Sequence, residues 1–168
     1  NLDVAKHPNF LAKARNFEYV LYQDEDRVVY VAPSDIRAIQ LAKSACYSGV
    51  RLLMDRMGTD HVDRIYLAGA FGSYIDVGYA MAIGLIPDCK LDRVASAGNA
   101  AGTGARIALL SASSRVEIDR VCRLVDKIET AIEPDFQEYF VAAMSLPHST
   151  EPFDMLNEWL IKQGLGPA

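Results

Sequence analysis

Metal-binding and disulfide-forming residues are scarce in this 168-residue sequence, which has only three cysteines and three histidines. Cys46, Cys89 and Cys122 are too far apart for a CxxC metal site or an iron–sulfur loop, and their odd number does not suggest a disulfide framework. The histidines have no partners at the spacing of metal ligands or of a catalytic dyad. The sequence therefore predicts a reduced, cytoplasmic protein with no metal site of its own.

The sequence also lacks long apolar runs and any surplus of positive charge. No segment approaches the roughly twenty apolar residues of a membrane span, and residues 1–6 do not resemble a signal peptide. The formal net charge of −5 argues against nucleic acid or an anionic membrane as a partner. An apolar fraction of 51% predicts a folded core. A small acidic enzyme domain or a protein-binding module fits these features, and the start without methionine predicts a piece of a longer protein.

Alternating apolar residues and a polar turn predict a β-hairpin from residues 17–22 and 28–31, after a poorly packed lead-in over residues 1–16. A long helix follows, with Ser34 as its predicted N-cap and Gly58 at its end. The predicted buried face of this helix is an apolar stripe at three- and four-residue steps: Ile36, Ile39, Ala42, Cys46, Val50, Leu53 and Met57.

Strands and helices then alternate, which is typical of an α/β layer architecture. The remaining predicted elements are strands at 64–67, 92–97 and 129–132, helices at 77–85, 100–110, 135–146 and 153–162, and a helix capped by Ser113 and Ser114. We expect one domain over residues 17–146, followed by a helical tail over residues 147–168.

Two glycine-rich turns dominate the sequence, and each follows a short apolar strand. The first lies in residues 65–73, IYLAGAFGS, and the second in residues 94–104, VASAGNAAGTG. A strand that ends in glycines before a helix lets the backbone approach a phosphate or a purine without a Cβ atom in the way. Neighbouring parallel strands would bring both turns to one edge of a sheet. Tight strand-to-helix turns alone also use glycine, so a purely structural role stays open.

Standard catalytic and nucleotide motifs are absent from the sequence. No Gly-Lys-Ser or Gly-Lys-Thr follows either turn, and the spacings GxxG and GxxxGxG differ from the GxGxxG of dinucleotide-binding proteins. Asp76 is a candidate for binding Mg²⁺ or for capping the next helix, and we favour capping. No Ser-His-Asp or Cys-His arrangement supports covalent catalysis.

Three longer segments in order resemble a known family. Residues 67–76 (LAGAFGSYID), 82–88 (AIGLIPD) and 98–105 (GNAAGTGA), with the helix segment 35–43 (DIRAIQLAK), are similar to the C-terminal domain of reductive activators of corrinoid proteins. The resemblance covers about residues 17–146. It implies an α/β fold, one lobe of an actin-like ATPase (ribonuclease H-like, ASKHA), with a mixed sheet, flanking helices and a helical C-terminal appendage.

The resemblance also implies ATP or ADP with Mg²⁺ in a cleft between two lobes, with the adenosine on the turn of this lobe. The residues expected at the nucleotide are Gly69, Ala70, Phe71, Gly72, Ser73, Gly98, Asn99, Gly102, Gln40 and Lys43. Helix capping explains Asn99 equally well, and a solvated helix face is the alternative for Gln40 and Lys43.

Members of this family join a ferredoxin-like [2Fe–2S] domain to the ATPase module and use ATP to restore cob(I)alamin from cob(II)alamin in corrinoid methyltransferase proteins. This chain has neither the cysteine spacing of that cluster nor enough residues for the first lobe, which carries the acidic residue that positions Mg²⁺. We therefore expect the hydrolytic residues to lie outside it and the chain alone to be inactive. The expected partners are a corrinoid protein and a second copy of the chain.

The sequence is compatible with two other functions. The chain can be a dimerisation or corrinoid-protein-binding module, with the helix over residues 136–146 as its surface and the glycines serving turn geometry only. A sugar or acetate kinase lobe has the same fold class and predicts a phosphorylated small-molecule product.

Overall fold

The computed structural model describes residues 8–12 and 17–166, except for the side chains of Ala12, Ala70 and Phe71. The chain divides into two compact units, Asn1–Ala42 and Lys43–Ala168. The predicted lead-in over residues 1–16 therefore lies largely outside the described residues. No helix within the described ranges combines the length and the apolar character needed to cross a bilayer.

The first unit contains a three-stranded antiparallel sheet of β1 (Phe10–Ala12), β2 (Phe17–Gln23) and β3 (Val28–Val31), in that order. The predicted hairpin of β2 and β3 is confirmed, whereas β1 is too short for its sequence to show a period of two. The Asp24 carboxylate closes the hairpin turn, because it accepts hydrogen bonds from the Asp26 and Arg27 backbone N–H groups at 2.9 and 2.7 Å. Hydrogen bonds from the Asp26 N–H, the Tyr22 hydroxyl and Arg27 lower the pKa of the Asp24 carboxyl group.

Helix α1 (Pro33–Met57) begins before its predicted cap. Pro33 is its first residue, a position that suits the fixed φ of proline and its missing N–H. Asp35 Oδ2 accepts a hydrogen bond from the Ala32 N–H at 2.8 Å, so the backbone donor just before the helix has an acceptor. The prediction of Ser34 as N-cap is wrong, because Ser34 lies inside the first turn.

The buried face of α1 is not the predicted apolar stripe. Ile36, Ile39, Leu53 and Met57 of that stripe are between 40% and 79% exposed. The buried side chains are Lys43, Ser44, Tyr47, Ser48, Leu52 and Met54. Polar side chains can fill a buried face when their hydrogen bonds are satisfied, as for Ser48 Oγ, which donates to the Ser44 carbonyl at 2.7 Å. The apolar periodicity therefore predicts the helix correctly and its buried face wrongly.

The second unit pairs β4 (Ile65–Ala68) with β5 (Val94–Gly98) in parallel. Its helices are α2 (Ala70–Tyr74), α3 (Val77–Ala82), α4 (Ala100–Leu110), α5 (Ala112–Cys122), α6 (Phe136–Ala142) and α7 (Asp154–Lys162), and a 3₁₀ helix, Leu91–Arg93, precedes β5. Each strand leads through glycine into a helix, which confirms the predicted repeat of strand, glycine turn and helix.

Two local predictions in the second unit are wrong. Residues 129–132 form a loop and turn instead of a strand, and the Ile132 N–H donates back to the Glu129 carbonyl at 3.0 Å. Helix α5 is capped by Ser111, whose hydroxyl accepts a hydrogen bond from the Ser114 N–H at 3.2 Å. Ser113 and Ser114 lie within the first turn of α5, so they do not cap it.

The core of the second unit gathers residues from distant parts of the chain. It consists of Tyr47, Ala80, Met81, Ile86, Cys89, Ala143, Phe153, Leu156 and Leu160. Residues 147–168, predicted as a tail, supply the last three of these side chains. Asp88 fixes the start of α7, because its carboxylate accepts hydrogen bonds from the Met155 and Leu156 N–H groups at 2.9 and 3.0 Å, and burial raises its pKa.

Helix α3 packs against α7 at Gly78, where an added Cβ would lie 2.4 Å from the Trp159 ring. We expect Gly78→Ala to lower the free energy of unfolding by about 1–3 kcal/mol, because the indole would have to shift. The matched control is Gly49→Ala in α1, where no described residue lies within 4 Å of an added Cβ, and it should be neutral or stabilising by up to ~1 kcal/mol. Urea unfolding measures both variants, and equal effects would contradict this packing role.

Candidate functional site

The two glycine turns meet at the carboxyl ends of β4 and β5, as the sequence predicts. The strands run in register from Ile65 opposite Val94 to Leu67 opposite Ser96, and then shift so that Ala68 lies opposite Gly98. The Gly69 N–H donates a hydrogen bond to the Gly98 carbonyl at 2.7 Å. The first turn is therefore bonded directly to the second, and both lie on the same edge of the sheet.

Gly69 and Gly98 need glycine for their backbone conformation. Gly69 has φ +96° and ψ 176°, and Gly98 has φ +60°. Among the described residues, no atom apart from the glycine and its two chain neighbours lies within 4 Å of a Cβ built on either residue. Positive φ rather than crowding by the described residues therefore accounts for glycine at both positions.

Gly72 needs glycine for a different reason. A Cβ at Gly72 would lie 2.8 Å from the backbone and Cβ of Leu67, so its absence lets α2 pack tightly on β4. A role of Gly72 in ligand approach is therefore not needed to explain this glycine.

Several backbone N–H groups of the turns are bonded within the protein. The Gly98 N–H donates to Ser96 Oγ at 3.2 Å, and the Gly102 N–H donates to Asn99 Oδ1 at 2.9 Å. The Gly69 N–H is occupied by the Gly98 carbonyl. Gly69 is the N-cap residue of α2 and has no side chain to cap the first turn of that helix. The N–H groups of Gly69, Gly98 and Gly102 are thus all used within the protein.

The polar side chains near the turns have structural roles. Asn99 caps α4 through its bond to Gly102, which is one of its two predicted roles. Ser73 Oγ donates to the Gly69 carbonyl at 3.1 Å. Asp76 caps α3 by accepting from the Tyr79 N–H at 3.0 Å, which confirms the favoured prediction for this residue. The predicted contacts of Ala70 and Phe71 depend on side chains outside the described part of the chain.

Lys43 is predicted to contact the nucleotide or to lie on a solvated helix face, but its side chain is buried. It is 1% exposed, and its ammonium group donates to the Ser145 and Pro147 carbonyl oxygens, the latter at 2.7 Å. Burial lowers its pKa to about 8. The ammonium group is thus held inside the second unit and is not presented to a ligand, which also rules out the solvated helix face. Gln40 is half-buried in the first unit, and its contact with a nucleotide stays a prediction.

No sequence pattern predicts the buried cluster of polar side chains around Tyr47. The Tyr47 hydroxyl donates to Glu151 Oε2 at 2.5 Å, and burial together with this bond raises the pKa of Tyr47. His148 packs against the Tyr47 ring, its Nδ1 accepts from the Glu151 N–H at 3.0 Å, and burial lowers its pKa. Tyr47 and Glu151 are 104 residues apart, so no local pattern could pair them. These bonds tie α1 to the segment before α7.

Two cavities of the second unit lie at the opposite ends of the strands. A cavity of about 570 Å³ and one of about 290 Å³ are both lined by Arg64 and Arg93, which directly precede β4 and β5. The glycine turns form an open edge at the other ends of these strands. Among the described residues, no three His, Cys, Asp or Glu side chains are arranged to hold a metal ion.

Comparison with known proteins adds three findings. The family model described as the C-terminal domain of RACo, the ASKHA domain, matches residues 2–157. The corrinoid activation enzyme RamQ of Eubacterium limosum is 40% identical over 119 residues, which cover 70% of this chain and 20% of RamQ. A solved structure of a reductive activator for corrinoid,iron-sulfur protein superposes with a TM-score of 0.72 at 28% identity, over 84% of this chain and 23% of that one. The chain thus spans about a fifth of the length of these relatives.

The packing role of Gly72 predicts a loss of stability that needs no ligand. We expect Gly72→Ala to lower the free energy of unfolding by about 1–3 kcal/mol, because α2 would be pushed from Leu67. Gly104→Ala in α4, where an added Cβ has no neighbour within 4 Å in the described part of the chain, is the control and should not destabilise the fold. Chemical unfolding without nucleotide measures the free energy of unfolding of both variants. A Gly72→Ala variant as stable as the wild type would contradict the packing role of Gly72.

The buried ammonium group of Lys43 predicts a pH-dependent stability. Its folded pKa of about 8 is below the ordinary lysine value near 10.4, so the unfolded chain binds more protons between these two values. The free energy of unfolding of the wild type should therefore rise from about pH 8 towards pH 10 relative to Lys43→Met, by about 1–2 kcal/mol. Lys162→Met, which removes an exposed ammonium group, is the control for urea unfolding. A wild-type minus Lys43→Met difference that stays constant over this range would refute the prediction.

Proposed function

Because this chain belongs to the family of the C-terminal ASKHA domain of RACo, we propose that it is the nucleotide-binding lobe of an ATP-dependent reductive activator of corrinoid proteins. Its fold is that of one lobe of an actin-like ATPase. Since the chain spans about a fifth of its relatives, the activity of a longer protein that contains it is part of this proposal.

The paired glycine turns carry the proposal. Among the described residues, Gly69 and Gly98 have space where a Cβ would be, and the backbone groups of both turns lie at the same edge of the sheet. Such groups bind ribose hydroxyl or phosphate oxygen atoms of a nucleotide. The adenosine side of ATP or ADP would therefore lie against Gly69, Gly98 and residues 70–72, with Ser73 and Gly102 holding the two turns in shape.

The chemistry of ATP hydrolysis would come from outside these residues. The turns offer N–H and hydroxyl groups, whereas Mg²⁺ prefers carboxylate and phosphate oxygens. Asp76 already caps α3. Mg²⁺ would therefore arrive with the phosphates of ATP and be positioned by another lobe, and the chain alone would not hydrolyse ATP.

In the longer protein, nucleotide turnover would change how the lobes grip a corrinoid protein. A [2Fe–2S] domain outside this chain would donate one electron to cob(II)alamin, which gives cob(I)alamin for methyl transfer. We further propose that the activator works in the cytoplasm as a homodimer.

A second candidate function has support from two observations. Gly72 is explained by packing on Leu67, and the bond between Gly69 and Gly98 shapes the turns without any ligand. A dimerisation or corrinoid-protein-binding module with no nucleotide chemistry would need only these features. The kinase-lobe alternative has no specific support from the described residues.

Matched asparagine variants separate these functions. Gly58 and Gly98 have φ of +63° and +60°, and an added Cβ at either position has no neighbour within 4 Å among the residues that the structure describes. Asparagine tolerates this left-handed conformation better than most residues, so both variants should fold with similar strain. In the full-length protein, we expect Gly98→Asn to weaken ATP binding about tenfold or more, because its side chain enters the proposed site, whereas Gly58→Asn should bind as the wild type does.

Isothermal titration calorimetry with ATP measures all three proteins. Wild-type protein that binds no ATP, or a Gly98→Asn variant that binds as tightly as Gly58→Asn, would reject the nucleotide site and favour the binding module.

A further inference from the structure

A chain of hydrogen bonds runs across the two glycine turns. Ser96 Oγ accepts from the Gly98 N–H at 3.2 Å, the Gly98 carbonyl accepts from the Gly69 N–H at 2.7 Å, and the Gly69 carbonyl accepts from Ser73 Oγ at 3.1 Å. Two serine hydroxyl groups therefore stand at the ends of this chain, and each glycine uses both its N–H and its carbonyl within it.

Ser96 is the last residue of β5 that pairs in the regular register with β4. The β4–β5 register shifts after Leu67 and Ser96, so that Ala68 lies opposite Gly98. A register shift of this kind leaves an extra residue in one strand and locally interrupts the ladder of hydrogen bonds. Gly98 lies directly after this shift and has a φ of +60°. Because glycine has no Cβ, its backbone can readily change to another conformation. The hydroxyl of Ser96 supplies the bond that holds Gly98 in this conformation.

We propose that Ser96 is a positioning residue for the nucleotide site: its hydroxyl fixes Gly98, and the Gly98 carbonyl in turn fixes Gly69. This inference rests on the proposed function. Ser96 itself need not touch the nucleotide. It sets the distance and direction between the two open turns, so that both face one ligand before that ligand arrives. Prearranged backbone groups bind more tightly, because no ordering is needed on binding.

Serine, threonine and alanine at position 96 distinguish the hydroxyl from the size of the side chain. In the full-length protein, we expect Ser96→Ala to weaken ATP binding about three- to tenfold, which corresponds to the loss of one ordinary hydrogen bond. Ser96→Thr keeps the hydroxyl and should restore the wild-type affinity. Ser149→Ala is the matched control, because Ser149 is an exposed serine outside both glycine turns.

Amide hydrogen exchange without nucleotide provides the structural readout. The segments 67–73 and 94–104 should exchange faster in Ser96→Ala than in the wild type, and Ser96→Thr should reverse this change. A residue that only stabilised the fold as a whole would raise exchange throughout the second unit.

The outcomes separate this inference from the proposed function. If the wild-type protein binds ATP and the Ser96→Ala variant binds it equally tightly, the role of Ser96 is overturned and the proposed nucleotide site is retained. Equal loss in Ser96→Ala and Ser96→Thr also overturns it, since the hydroxyl would not be the cause. A wild-type protein that binds no ATP removes the proposed function and the inference with it.

Discussion

The parallel pairing of β4 with β5 constrains everything at their carboxyl ends. Two parallel neighbours must both leave the sheet on the same edge, and here each turns at once into a helix. The backbones of the two turns come close enough for the Gly69 N–H to bond the Gly98 carbonyl. Positive φ at both residues makes this approach possible, so glycine at these positions follows from the strand pairing itself. The open edge is the geometric result of that constraint.

Long-range polar bonds hold the rest of the second unit around this sheet. Lys43 and Tyr47 on α1 bond to Ser145, Pro147 and Glu151, more than a hundred residues later in the chain. Asp88 bonds to the first turn of α7 in the same way. Each of these groups is costly to bury alone and is bonded where it lies. The second unit thus depends on polar contacts between its beginning and its end as well as on apolar packing.

These bonds explain how far the sequence predicts the structure. Features determined by nearby residues are predictable: the hairpin, both strand-to-glycine-to-helix turns, and Asp76 as the cap of α3. The buried face of α1 is not, because the groups that satisfy Lys43 and Tyr47 belong to a distant segment and leave no period in the helix. The need for glycine at position 72 is likewise tertiary, since it depends on Leu67 across a turn. Among the candidate site residues, Gly69 and Gly98 lie side by side, whereas Lys43 faces the protein interior.

The contact between α3 and α7 makes the fluorescence of Trp159 a probe of how α7 is packed. Trp159 is the one tryptophan of the sequence, and its ring packs on Gly78 and stands edge-on to Tyr79, with ring centres 5.7 Å apart. Indole emission depends on how much water surrounds the ring, so its wavelength reports whether α7 is docked. Detachment of the C-terminal segment can therefore be followed without any label, separately from events at the glycine turns.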